Sequence, residues 1–82
     1  MDAQVLIRDG TKFAQKAIEN DQNKNFKLAH FFYMEAAEAL LKAISLDRSL
    51  EQIKIKALQY IERAETIQSM LGMDLCFLQM NN

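Results

Sequence analysis

The sequence contains no proline and only two glycines, Gly10 and Gly72. The residues that punctuate strands and hairpins are therefore missing, and an all-α fold is what remains. A single cysteine, Cys76, excludes an internal disulfide and a multi-cysteine metal site, as expected of a reducing compartment. Charge of one sign is missing too. Ten basic and eleven acidic residues leave a formal net charge of −1, and their dispersal gives no electrostatic footprint for nucleic acid or an anionic membrane. No apolar run approaches the roughly 20 residues that span a bilayer, and the N-terminus lacks the succession of a signal peptide. The expectation is a soluble, cytosolic protein that does not insert into membranes.

Motifs of catalysis are equally scarce. There is no glycine-rich phosphate loop, GxSxG elbow or acidic calcium loop. The lone His30 has no second ligand at metal-binding spacing and reads as a helix-surface residue. A Cys76–His30 pair would lack an orienting third group. No catalytic residue, metal or cofactor is expected in this chain.

What the sequence does have is apolar periodicity. Half of its 82 residues are hydrophobic, which suits one domain that must pack densely. Leu50, Ile53, Ala57, Tyr60, Ala64, Ile67 and Leu71 recur at alternating steps of three and four, a heptad seam. Phe26, Ala29, Tyr33, Ala36, Leu40 and Ala43 repeat the spacing, as do Ala3, Leu6, Gly10, Phe13 and Ala17. Asn20 to Asn25 and Asp47 to Ser49 are polar breaks. The prediction is an antiparallel up-down-up three-helix bundle over residues 1–71, with helices at about 2–20, 26–46 and 50–71. Asp2 and Asn25 are expected N-caps, and Ser49 with Gln52 matches a capping box. Tyr33 and Tyr60 are expected to bridge the wider gaps, hydroxyls toward solvent or a partner.

Some apolar residues fall off the seam. Leu58 and Ile61 lie beside it on the third helix, near Glu62 and Glu65, while Ile7, Ala14 and Ile18 form a narrow stripe on the first. A helix touching two neighbours needs a wide apolar face; equally, such stripes can floor grooves that accept an amphipathic helix. Spacing alone leaves both readings open.

The succession Tyr33, Ala36, Leu40, followed by Lys56, Tyr60, Ile61, Glu62, Arg63, Ala64 and Glu65, resembles the signature of MIT (microtubule-interacting and trafficking) domains. So does Ala17, Asp21, Asn25, Phe26 and Ala29 across the first break. The resemblance covers about Leu6 to Ser69. Met1-Asp2-Ala3, Arg8-Asp9, Phe13-Ala14, Phe32-Tyr33, Glu35-Ala36-Ala37, Ala39-Leu40 and Ser49-Leu50-Glu51 look most like the N-terminal MIT domain of PalB-type calpain-like proteases. The family implies binding of C-terminal tails of ESCRT-III subunits, for endosomal sorting, in a cytoplasmic protein recruited to endosomal membranes. It further implies that Ile61, with Leu58 by neighbourhood, receives tail leucines between helices two and three. Glu62 and Glu65 would meet the tail's basic residues, and Ala14 and Ile18 would line a second groove between helices one and three. Phe13 is assigned to the core.

Residues 72–82 depart from the family in being apolar. They read as a disordered or frayed extension of helix three, or as a segment whose Leu75, Phe77 and Leu78 fold back into a groove or drive self-association. A self-associating bundle or a TPR-like piece is the alternative function, although the repeat of about 34 residues that a TPR array needs is not found.

Overall fold

The computed structural model describes residues 2–72, to which the expectations for the apolar tail and for Cys76 do not extend. Within that range α1 spans Ala3–Gln22, α2 Phe26–Leu46 and α3 Lys54–Met70, with a 3-10 segment at Arg48–Ile53 leading into α3. Side-chain packing fixes the directions. Ala17 of α1 meets Ala29 and Tyr33 of α2 and Ala64 and Ile67 of α3 in one cluster. Ile7 meets Ala37, Leu40 and Ala57 in another. Ascending one helix descends its neighbour, so the helices run antiparallel around a central α2.

Nine of the fourteen buried apolar residues among those described are alanine, which lets backbones approach closely. The tightest place is Gly10, where an added Cβ would stand 3.1 Å from Leu40 Cδ2 and 3.3 Å from the Ala39 Cβ. Glycine at this seam position is thus a packing requirement of the α1–α2 crossing.

The helix ends follow local chemistry, and two differ from the sequence-based expectation. Asp2 does cap α1, its Oδ1 accepting from the Gln4 N–H at 3.0 Å. Asn25 makes no cap hydrogen bond to α2; its Nδ2 donates instead to Asn20 Oδ1 at 3.4 Å. The capping box at Ser49 and Gln52 does not form, because Asp47 takes the cap. Its Oδ1 accepts from the Ser49 N–H at 3.0 Å and from the Ser49 hydroxyl at 2.6 Å, and these bonds hold the carboxyl below its ordinary range. With Ser49 engaged backwards, the chain enters α3 through a 3-10 turn, a usual device at helix N-termini.

The end of α1 is a Schellman turn built without glycine. Asn25 N–H donates to Asn20 O at 2.8 Å and Lys24 N–H to Asp21 O at 3.1 Å, the 6→1 and 5→2 bonds of that motif. The motif demands a left-handed residue, and Lys24 supplies it at φ 63°. A side chain in that conformation is strained by about 1–2 kcal/mol, part of which glycine returns through greater freedom in the unfolded chain. Lys24→Gly is therefore expected to raise stability by about 0.5–1 kcal/mol. Urea unfolding measures this, and a variant no more stable than the wild type would refute strain at Lys24. At the other end, Gly72 occupies the same position after α3 at φ 70°, its N–H donating to Ser69 O at 3.1 Å.

Candidate functional site

Helix α2 carries more apolar residues than its seam uses. One side faces α1, another α3, and its outer face still exposes Leu28, Phe31, Met34 and Leu41, each between 37% and 52%. An apolar surface of that extent on a soluble helix is normally covered. Between this outer face and α3 lies an open groove of about 340 Å³, lined by Met34, Ala37, Glu38, Leu41, Lys42, Ser45 and Ile61. Its floor is rigid, because Ile61 is half-buried against the cluster of Ala37, Leu40 and Ala57. Its α2 wall is made of Met34 and Leu41, and Met is a side chain that re-shapes readily around a ligand.

The expected site residues are placed unevenly. Ile61 lines the groove. Glu62 and Glu65 are exposed on α3, four residues beyond Leu58 and Ile61 respectively, so that all four share one helix face. Leu58 is 51% exposed and is not among the lining residues. On α1, Ile18 is 42% exposed, whereas Ala14 is 4% exposed and offers a ligand little surface. Phe13 is half-buried and stacks on Phe32 with ring centroids 6.2 Å apart.

Sequence reasoning missed the α2 half of the groove: Met34, Ala37 and Leu41. Met34 and Leu41 are apolar residues off the α2 seam, but spacing alone does not separate them from a broad core-facing stripe.

Several signature residues turn out to hold the scaffold. The Asp21 carboxylate, near the end of α1, accepts from Arg63 of α3 through Nε at 2.8 Å and Nη2 at 2.7 Å. The Tyr33 hydroxyl of α2 donates to the same carboxylate at 2.9 Å. This corrects the expected outward hydroxyl: Tyr33 is buried and its ring lies 5.9 Å from that of Tyr60. The Arg63 bonds hold the Asp21 carboxyl below its usual range. Burial, reinforced by the bond to Asp21, pushes the Tyr33 hydroxyl up to about 12. One carboxylate thus clasps all three helices at one end of the bundle.

Among the described residues, no group of three or more His, Cys, Asp or Glu side chains is arranged to hold a metal ion. No described helix is long and apolar enough to cross a membrane.

A family model described as the MIT (microtubule interacting and transport) domain matches residues 7–69. Calpain-7 of Homo sapiens and calpain-7 of Mus musculus are each 41% identical over 69 residues, covering 84% of this chain and 8% of theirs. Vacuolar protein sorting-associated protein 4 of Dictyostelium discoideum is 34% identical over 69 residues, 80% of this chain and 16% of that protein. The chain thus spans less than a tenth of the calpain-7 relatives. No solved structure matches it at a significant level.

Proposed function

The chain belongs to the MIT domain family, and from that premise we propose that its α2–α3 groove receives the helical C-terminal tail of an ESCRT-III subunit. The observation that carries the reading is the uncovered apolar channel floored by Ile61 and walled by Met34 and Leu41, with Glu62 and Glu65 exposed on the α3 side. Leucines of an amphipathic helix would fill the channel. Basic residues beside them would meet Glu62 and Glu65.

The magnitudes predict a modest complex. Each buried leucine contributes about 1.5–3 kcal/mol, while ordering a disordered tail costs about 2–5 kcal/mol or more. The net is roughly micromolar affinity. The glutamate contacts lie at the rim, where each adds about 0–1 kcal/mol and selects basic tails more than it tightens them.

In this reading the module is a non-catalytic recruiter, cytoplasmic and brought to endosomal membranes by its partner. Any protease activity of a calpain-like parent would reside elsewhere in that protein. The similarity to a protein whose name declares a role in vacuolar sorting supports the trafficking assignment.

Titration of labelled ESCRT-III tail peptides, followed by amide shifts, tests the site. Saturable binding with shifts at Met34, Ala37, Leu41 and Ile61 is the expected result. Shifts centred on Ile18 would move the docking to the α1–α3 side. Absence of saturable binding to any tail would overturn the proposal, and sedimentation showing concentration-dependent dimers would then favour self-association.

A further inference from the structure

Helix α1 finishes, α2 begins and α3 finishes at one end of the bundle, where Asp21 receives Arg63 and Tyr33. At that end lies a depression of about 340 Å³ lined by Lys24, Asn25, Phe26, Lys27, Leu28 and Leu71. It shares no lining residue with the α2–α3 groove.

The surface of the depression is apolar with a positive border. Leu28 is 52% exposed, whereas Phe26 and Leu71 are half-buried against the core. Lys24 and Lys27 are exposed and make no ion pair among the described residues. The first turn of α2 has no acidic residue and no side-chain cap, so the helix start adds to the preference for a negative charge. An apolar hollow so bordered fits an apolar segment that carries a carboxylate.

Such a segment follows directly in the chain. Residues 73–82 contain Leu75, Phe77 and Leu78, and Asp74 is their only charged side chain. Leu71 already lines the depression, so the segment sets out from its edge. Gly72 stands at φ 70°, the left-handed turn that takes a chain off its helix axis. The same turn at Lys24 leads the chain from α1 back along its neighbour α2. Between Leu71 and Asp74 an extended chain reaches about 10 Å, ample for a side chain to return to the start of α2.

We propose that residues 73–78 fold back from Gly72 and cover this depression, with Asp74 beside Lys24 and Lys27 and the side chains of Leu75 and Phe77 on Leu28 and Phe26. The depression is then an intramolecular seat. It holds the apolar segment at the clasped end of the bundle and leaves the α2–α3 groove open to a ligand. The inference does not depend on what the groove binds, because the two surfaces have no lining residue in common.

Chymotrypsin cleavage after Phe77, followed by mass spectrometry on the whole 82-residue chain, tests the seat, since a docked segment is cut only from its open state. The substitutions are made on the bundle side, so that the protease reads the same sequence throughout. Leu28→Ser is expected to speed cleavage about fivefold, as the loss of a partly buried leucine contact implies. Lys27→Glu is expected to speed it about twofold, as the loss of an exposed ion pair implies. Both residues are exposed, and thermal unfolding checks that the bundle stays intact. In the wild type, cross-relaxation between the Phe77 ring and the Leu28 methyl groups is expected. Its absence, equal cleavage rates in wild type and Leu28→Ser, or cleavage of the wild type as fast as that of the free peptide 73–82 would each overturn the proposal. Protection that weakens on dilution would put the segment on a second copy and overturn the intramolecular seat.

Discussion

Ile61→Asp is expected to weaken tail binding by about a hundredfold, the largest effect of any single substitution in the groove. Ile61 lines the channel and is half-buried before any ligand arrives. A docked leucine would complete its burial. Aspartate removes about 1.5–3 kcal/mol of apolar contact and places an unpaired charge where water has been excluded. Because Ile61 also packs against Ala37, Leu40 and Ala57, the substitution could act through the fold, so a second wall must be tested. Met34 stands on α2, is 41% exposed in the free protein, and can be changed to Asp with little demand on the core. Both variants should lose binding in calorimetric titration while keeping helical circular dichroism. Glu62→Lys and Glu65→Lys should each lose only about fivefold, as rim charges do. If Ile61→Asp and Met34→Asp both bind as the wild type does, the α2–α3 groove is not the docking site.

The contrast between Ile61 and Met34 shows what the sequence could convey. Heptad spacing is a strong signal for helices, and it located all three because each buries one continuous stripe. It says less about what lies opposite that stripe. On α3 the polar residues around Leu58 and Ile61 made two apolar outsiders visible, and Ile61 does line the groove. On α2, Leu28, Phe31, Met34 and Leu41 widen the apolar surface well beyond the seam, so periodicity alone could not tell a third face from a broad second one. Ala14 is hidden for a different reason. Its spacing marks a stripe, but in a bundle packed through alanines the smallest stripe residues vanish into the crossing, and 4% exposure remains. The helix ends were legible where one side chain had one backbone partner, as at Asp2. They were not where neighbours competed, as when Asp47 bonded Ser49 and displaced the capping box.

The same competition explains why the Tyr-Ile-Glu-Arg run is divided between function and scaffold. Arg63, two residues beyond Ile61 and so on another face of α3, points to Asp21, and Asp21→Ala is expected to destabilise the bundle by about 1–2 kcal/mol at neutral pH. The estimate is bounded from both sides. The Asp21 side chain is only 14% exposed and receives three hydrogen bonds, but Arg63 is 39% exposed, so water can replace part of what the arginine loses. Asp21 also stands at the C-terminal end of α1, where a negative charge opposes the helix dipole by about 0.3–1 kcal/mol, and alanine removes that penalty. What remains is well below the ~3–5 kcal/mol of a fully buried pair. The pH dependence separates this from a mere packing defect. Because the Asp21 carboxyl is depressed in the folded state, its contribution is fully present above the unfolded value of about 3.9 and is lost as pH falls through the folded one. Urea unfolding of wild type and variant should therefore differ by a constant amount across about pH 5–8, begin to converge below about pH 4, and meet only below the depressed folded value. A difference that persists unchanged into acid would show that the carboxylate charge is not what holds α1 to α3, and Arg63→Lys, which keeps the charge but loses the two-pronged geometry, would then be as stable as the wild type.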